Sequence, residues 1–276
     1  KSAKEAIDWK LDTDLKLNRG QVAEPSQITV DSYYAQWMER QKKDWSASKY
    51  FLAEAFWRIH AEPVIGGLRM QEVTRTHIQM LADKMAANLA PSSLRTYLAS
   101  GKTMFAHAEE EGIVYQTPFR AIRLPKMEEP ERIIWSPLQL QLFLKKTADH
   151  RFGPLWAFMI ATGCRVSEAI GLKPDALDLD AHTVTIFRTE AVDENKRKQV
   201  VDRTKSGKKR LRINLEPWIV DILRQQPKGE YVFMHDGARV KYHTLRTDLI
   251  AVREELGFPE LTPHGLRHSV ASMMSS

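Results

Sequence analysis

The sequence predicts a multidomain α+β protein: an all-α unit of four helices, then a mainly helical unit that carries a small antiparallel sheet. Three observations predict it. Apolar residues recur at helical spacing from Thr29 to about Pro125. Three prolines, Pro125, Pro130 and Pro137, then interrupt the chain, and beyond them helical stretches flank a segment of alternating β-branched residues. The length, 276 residues, exceeds one ordinary core and suits two.

Residues 1–26 read as a short helix, Lys4 to Leu17, ending at Arg19-Gly20, followed by a polar connector with Pro25. Asp8, Asp12 and Asp14 interleave with lysines there, as on a solvated face, and the segment is too short for a domain. Thr29 or Asp31 can cap the next helix, whose apolar side is Tyr33, Tyr34, Trp37 and Met38. Ser46–His60 gives a second helix, with Tyr50, Phe51, Phe56 and Trp57 at helical spacing, and Pro63 with Gly66-Gly67 is expected to break the chain. A third helix spans His77–Ala87. Pro91-Ser92-Ser93 opens a fourth, with Leu94, Tyr97, Leu98, Met104 and Phe105 inward, Arg95 and Lys102 outward, and a stop at Gly112.

Residues 119–137 read as an extended linker, because helices stop before proline and three prolines within thirteen residues leave no room for one. Ser136-Pro137 caps and opens a helix over Leu138–Thr147. An apolar helix around Leu155–Ala161 breaks at Gly163, and a short helix over Arg165–Leu172 stops near Pro174. Thr183–Arg188 alternates as a strand, with Leu211–Leu215 as its partner. Helical stretches follow at Glu216–Gln226, at Tyr242–Leu256, and after Thr262-Pro263.

Composition narrows the classes. With 43% hydrophobic and 28% charged residues the chain suits a soluble globular protein rather than a disordered one. The longest apolar run, Leu155–Ala161, is a buried-helix length, and the first ten residues lack the apolar core of a signal peptide. A single cysteine, Cys164, rules out an intramolecular disulfide or a multi-cysteine zinc site and fits a reducing compartment. Net charge is +6, and its distribution is more informative than its size. Between Asn195 and Arg212 stand nine Lys/Arg against one acid, Asp202, whereas residues 1–26 carry five of each sign. A focused basic run suits a polyanion, since phosphate contacts release condensed counterions; a solvated lysine-rich loop would look the same by charge alone.

Three fragments carry chemistry. In Thr162-Gly163-Cys164-Arg165-Val166-Ser167-Glu168 an arginine follows a glycine break, with an acid at i+3; alone, this is also what a surface ion pair looks like. Arg203-Thr204-Lys205-Ser206-Gly207-Lys208-Lys209-Arg210 is a basic turn between two strands. In Thr262-Pro263-His264-Gly265-Leu266-Arg267-His268, His264 and Arg267 share one face near a helix N-terminus, where the dipole favours an anion; a capped helix with polar outer positions is the plainer alternative. Zinc between His264 and His268 is disfavoured, because Gly265 stands where a metalloprotease helix has its glutamate and no third ligand is nearby.

In this order, behind a helical unit and a proline-bearing linker, the fragments resemble the tyrosine recombinases, the integrases of phage and genomic-island type. TGCRVSEAIGLK matches their arginine motif, TKSG their sheet lysine and TPHGLRH their His-x-x-Arg box, and the likeness covers about 27–276. It implies a SAM-like core-site DNA-binding domain over 27–118, a linker over 119–137 and a catalytic domain over 138–276. Residues 1–26 resemble the helix that couples an upstream arm-binding domain to the rest. It further implies that Arg165 and Arg267 clamp the scissile phosphate, a task suited to planar, permanently charged guanidinium forks. Lys205 would protonate the departing 5′-oxygen, with Lys208 as the alternative acid, and His264 would assist proton removal from the nucleophile. Glu168 supports Arg165. No metal or nucleotide cofactor is implied.

The implied partner is double-stranded DNA bearing a core recombination site, gripped with Arg95 and Lys102 on the helical side and Lys208, Lys209 and Arg210 on the catalytic side. A homotetramer on DNA when full length, DNA-bending accessory proteins and a nucleoid-associated setting follow from the same likeness. The apolar runs, the N-terminus and the single cysteine lead to the expectation of a cytoplasmic protein with no membrane partner. The family's tyrosine nucleophile and its third motif fall after the His-x-x-Arg box. No tyrosine follows Arg267 in this sequence, so the chain is expected to be truncated before its nucleophile and inactive as it stands. That departure keeps open a DNA-binding regulator that has the fold without the cleavage; the helical domain and the size argue against a type IB topoisomerase relative.

Overall fold

The structure is a computed structural model that describes residues 26–127, 133–202 and 211–274. The helix expected within residues 1–25 lies outside the described residues. The chain divides into two compact units, Lys1–Glu129 and Pro130–Ser276.

The first unit is helical, as its apolar periodicity predicts. Helix α1 spans Val30–Gln41 and is capped by Thr29, whose hydroxyl accepts the Ser32 N–H at 3.2 Å. Helix α2, Ala47–Phe56, is capped by Ser46. The expected break falls at Gly66-Gly67 and not at Pro63. The chain instead widens into a π-helical turn over Trp57–Ala61 and continues as α3, Glu62–Ile65. Proline lacks an N–H and crowds the preceding turn; here it falls at the start of a new α-helical register, where no such donor is required. Helix α4 spans Arg75–Ala86 and α5 spans Pro91–Glu110. Tyr33, Trp37, Phe56, Ile78, Leu81, Leu94 and Phe105 form the core, each side chain of this size contributing about 1.5–3 kcal/mol by leaving water. Gly101 lets α5 approach closely: a Cβ there would lie 2.7 Å from the Phe119 ring and 3.0 Å from Phe56.

Part of the stretch read as a linker is fastened to this unit. Phe119 is buried, with Ile122 and Leu124 packed behind it. The Gln79 amide donates to the Arg123 carbonyl and accepts the Arg123 N–H, both at 2.9 Å, and Arg95 donates to the Pro125 carbonyl at 2.8 Å.

The second unit opens with α6, Pro137–Lys146, capped by Ser136 with Gln139 reaching back to it. Helix α7, Gly153–Thr162, is almost wholly buried, and the short α8 spans Val166–Ile170. Strands β1 (Leu177–Asp178) and β2 (Thr183–Ile186) follow, then β3 (Thr189–Val192), β4 (Lys198–Val201) and β5 (Leu211–Asn214). The central sheet is antiparallel in the order β1-β2-β5, with Val184 opposite Ile213 and Thr185 opposite Arg212, so the expected pairing of the two strands is present. The hairpin β3–β4 fills what reads in sequence as a long irregular stretch; TEAV and KQVV lack the alternation that marks a half-buried strand. A second hairpin, β6 (Met234–His235) and β7 (Ala238–Arg239), turns through Asp236 and Gly237, both at positive φ, a pairing that Asp-Gly favours. Helices α9 (Pro217–Arg224), α10 (Tyr242–Glu255) and α11 (Pro263–Met274) complete the unit around Trp135, Phe143, Trp156, Phe158, Val184, Ile219, Leu245 and Leu266. No helix among the described residues is long and apolar enough to cross a membrane.

Candidate phosphate-binding site

Gly163 is where the site begins. It ends α7 in the left-handed conformation, at φ 61°, with its N–H on the Met159 carbonyl. The turn buries Cys164, whose thiol burial pushes up to about 12, so it is a neutral packing group at ordinary pH rather than a nucleophile. Arg165 then enters α8 in extended conformation. Its backbone N–H donates to Glu168 Oε2 at 2.8 Å and its Nη1 donates to Glu168 Oε1 at 2.9 Å. Glu168 is 4% exposed and the Arg165 side chain 30% exposed. The carboxylate that pairs with Arg165 is thus buried, which sets the pair apart from a plain surface ion pair.

Helix α11 supplies the second half. Thr262 Oγ1 accepts the Gly265 N–H at 3.3 Å, and Pro263 takes the first helical position. Gly265 seats this turn on buried Leu261; a Cβ there would lie 2.7 Å from Leu261 Cγ. His264 is exposed at the helix start, and its ring meets that of His268 edge to face at 4.6 Å. No group of three His, Cys, Asp or Glu is placed to hold a metal among the described residues. Arg267, half-buried, donates Nη1 to the Gly163 carbonyl at 2.9 Å.

That bond joins residues 104 apart in sequence, and it brings the two arginine motifs together. Arg267 thus stands against the turn that leads into Arg165, and His264 lies at the start of the helix that carries Arg267. Guanidinium groups and helix N-termini are donors of the kind that suit an anion such as phosphate.

Lys205, Lys208, Lys209 and Arg210 lie outside the described residues. The roots of their segment are defined. β4 ends with Val201 opposite Thr189, β5 begins with Leu211 opposite Ile186, and α8 packs against β3. Arg188 holds Asp202 at 2.9 Å and also pairs with Asp175, whose carboxyl it keeps below the usual range. On the first unit, Lys102 is exposed, whereas Arg95 is half-buried and bonded to the Pro91 and Pro125 carbonyls. Arg95 therefore has a structural task that its outward position in the sequence pattern did not suggest.

Two supports escaped the sequence reading. Glu190, 11% exposed, is gripped by Arg239 at 3.1 Å and Lys198 at 2.9 Å, locking β3–β4 to the β7 strand. Arg188 is the other; its only sequence trace is Asp202, the lone acid in a basic run.

A model of the phage integrase family matches residues 139–276. The chain is 30% identical to tyrosine recombinase XerC of Roseiflexus castenholzii over 215 residues, which is 72% of this chain and 65% of that protein. It is 25% identical to tyrosine recombinase XerD of Lacticaseibacillus casei over 193 residues, 67% of this chain and 64% of that one. The chain thus spans just under two thirds of the length of these relatives. Among solved structures it resembles the Tn1549 transposon integrase in complex with transposon right end DNA (TM-score 0.76, 16% identity, 90% of this chain and 87% of that one). It also resembles a lambda integrase tetramer bound to a Holliday junction (TM-score 0.70, 12% identity, 100% and 84%). The fold is that of the DNA integrases, mainly helical with small antiparallel sheets. The chain belongs to the phage integrase family, the tyrosine recombinases.

Proposed function

We propose that the protein performs site-specific DNA recombination, integrating or excising a mobile element by strand cleavage and Holliday-junction exchange. The observation that supports this reading is the bond from Arg267 to the Gly163 carbonyl, which ties two distant arginine motifs together. A phosphodiester under attack gathers charge on its non-bridging oxygens, and Arg165 and Arg267 meet that charge with fixed, protonated donors. His264 accepts the proton of the attacking tyrosine hydroxyl. Lys205 delivers a proton to the departing 5′-oxygen, with Lys208 the competing candidate. The products are a 3′-phosphotyrosyl linkage and a free 5′-hydroxyl; reversal on a new strand reseals the DNA, and the linkage conserves the energy of the bond.

Double-stranded DNA is the proposed partner, with 27–118 as a DNA-binding domain, Lys102 as a backbone contact, 138–276 as the catalytic domain and 1–26 as a coupling segment. Assembly as a tetramer on two duplexes follows from the same reading, with room for DNA-bending accessory proteins. The test is chemical. With the product of the complete gene, Lys205→Ala slows cleavage of an ordinary strand, and replacing the bridging 5′-oxygen by sulfur restores it, since a thiolate leaves without a proton. Lys208→Ala is indifferent to that replacement. Rescue of Lys208→Ala instead would move the acid to Lys208, and rescue of neither would remove the lysine acid from the scheme.

A further inference from the structure

We infer that Ser269 is a positioning residue for the α11 turn that carries His264 and Arg267, an inference that rests on the reading of that turn as the phosphate-handling site. Ser269 has no exposed surface. Its hydroxyl donates to the Gly265 carbonyl at 3.0 Å and accepts the Trp135 backbone N–H at 2.9 Å. The directions are fixed, because a carbonyl can only accept and a backbone N–H can only donate.

Trp135 is itself held firmly. Its Nε1 donates to the Pro259 carbonyl at 3.1 Å, and its ring lies 5.2 Å from both Phe143 and Phe258. The hydroxyl therefore ties the chain that enters α6 to the first turn of α11, and the Trp135 indole ties the same chain to the 256–262 connection. The carbonyl that the hydroxyl grips belongs to Gly265, between His264 and Arg267. A wholly buried helical position that needed only to be filled would favour alanine, the best helix former, over serine. Serine is explained by the two bonds. Its loss leaves the Trp135 N–H buried without its acceptor and frees the turn to shift.

The experiment uses the complete gene product, a nicked target duplex and single-turnover conditions. Ser269→Ala is expected to lower the rate of covalent adduct formation about ten- to a hundredfold, the scale on which a small misplacement of reacting groups acts. DNA affinity and the folded fraction at the assay temperature stay at their wild-type values, and Ser269→Thr, which keeps the hydroxyl, recovers most of the rate. In a His264→Ala background the Ser269→Ala penalty shrinks, because both act through one turn. A wild-type rate for Ser269→Ala, the same penalty in both backgrounds, or a loss that follows the unfolded fraction would overturn the assignment. Amide hydrogen exchange on the 276-residue chain reads the tether without cleavage. Ser269→Ala should speed exchange at Trp135, Gly265 and Leu266 above other sites, and uniform exchange throughout the unit contradicts the tether. A wild-type protein that forms no adduct sinks the recombinase reading and leaves the tether to be judged by exchange.

Discussion

Glu168 holds both ends of Arg165: Oε2 takes the backbone N–H at 2.8 Å and Oε1 takes the guanidinium at 2.9 Å, from a position that is 4% exposed. Glu168→Gln keeps the shape but has one acceptor oxygen for two donors. Denaturant unfolding should show a loss of about 1–3 kcal/mol, the cost of a buried donor left unmet. Adduct formation should fall further than stability explains. A variant with wild-type stability and rate would show that the carboxylate does not orient Arg165.

Arg267 differs from Arg165 in leaning on a backbone carbonyl rather than a carboxylate. Arg267→Ala removes a phosphate donor and also leaves the Gly163 carbonyl without it, so cleavage should fall about 10²–10³-fold or more. Arg267→Lys should recover little, because a point ammonium cannot serve the carbonyl and a phosphate with one planar fork. Single-turnover rates of the two variants decide it.

Tyr33 gives the first unit a pH limit. Burial, then its bond to Glu111 at 3.0 Å, raises the phenol to about 12. A group whose folded value is raised contributes stability below its unfolded value of about 10, and that contribution is lost as pH rises through the folded value. Circular dichroism should therefore show the first unit weakening between roughly pH 10 and 12, with Tyr33→Phe flattening that limb. A Tyr33 absorbance titration near 10 in the native protein would contradict the buried bond.

Cys164 should be silent toward thiol reagents. It is 2% exposed, and burial raises its thiol to about 12. At pH 8 native protein should label only at the rate of unfolding, and denatured protein at once. Rapid native labelling would mean that the turn between α7 and α8 opens.

The local structure around the motifs was legible in sequence where capping and helix-breaking residues stand at short spacing. His264 behind Thr262-Pro263, and Arg165 after Gly163, stand at helix starts as their flanking signals predict, with Arg267 one turn further along from His264. The helices of both units followed from apolar periodicity. The β3–β4 hairpin did not, because its strands are held by ion pairs and by α8 rather than by an alternating apolar face. Pro63 misled because a π turn shifts the helical register ahead of it. Ser269 and Arg188 were invisible, since each has a partner more than ten residues away, Trp135 and Asp202, that no local pattern announces.

The most direct test is covalent capture. The product of the complete gene is incubated with a nicked target-site duplex in excess chelator, and a denaturing gel is probed for protein joined to DNA. A 3′-phosphotyrosyl adduct is expected at the same yield with and without chelator, and is lost in Arg267→Ala. No adduct, or one that appears only with added metal, would contradict it.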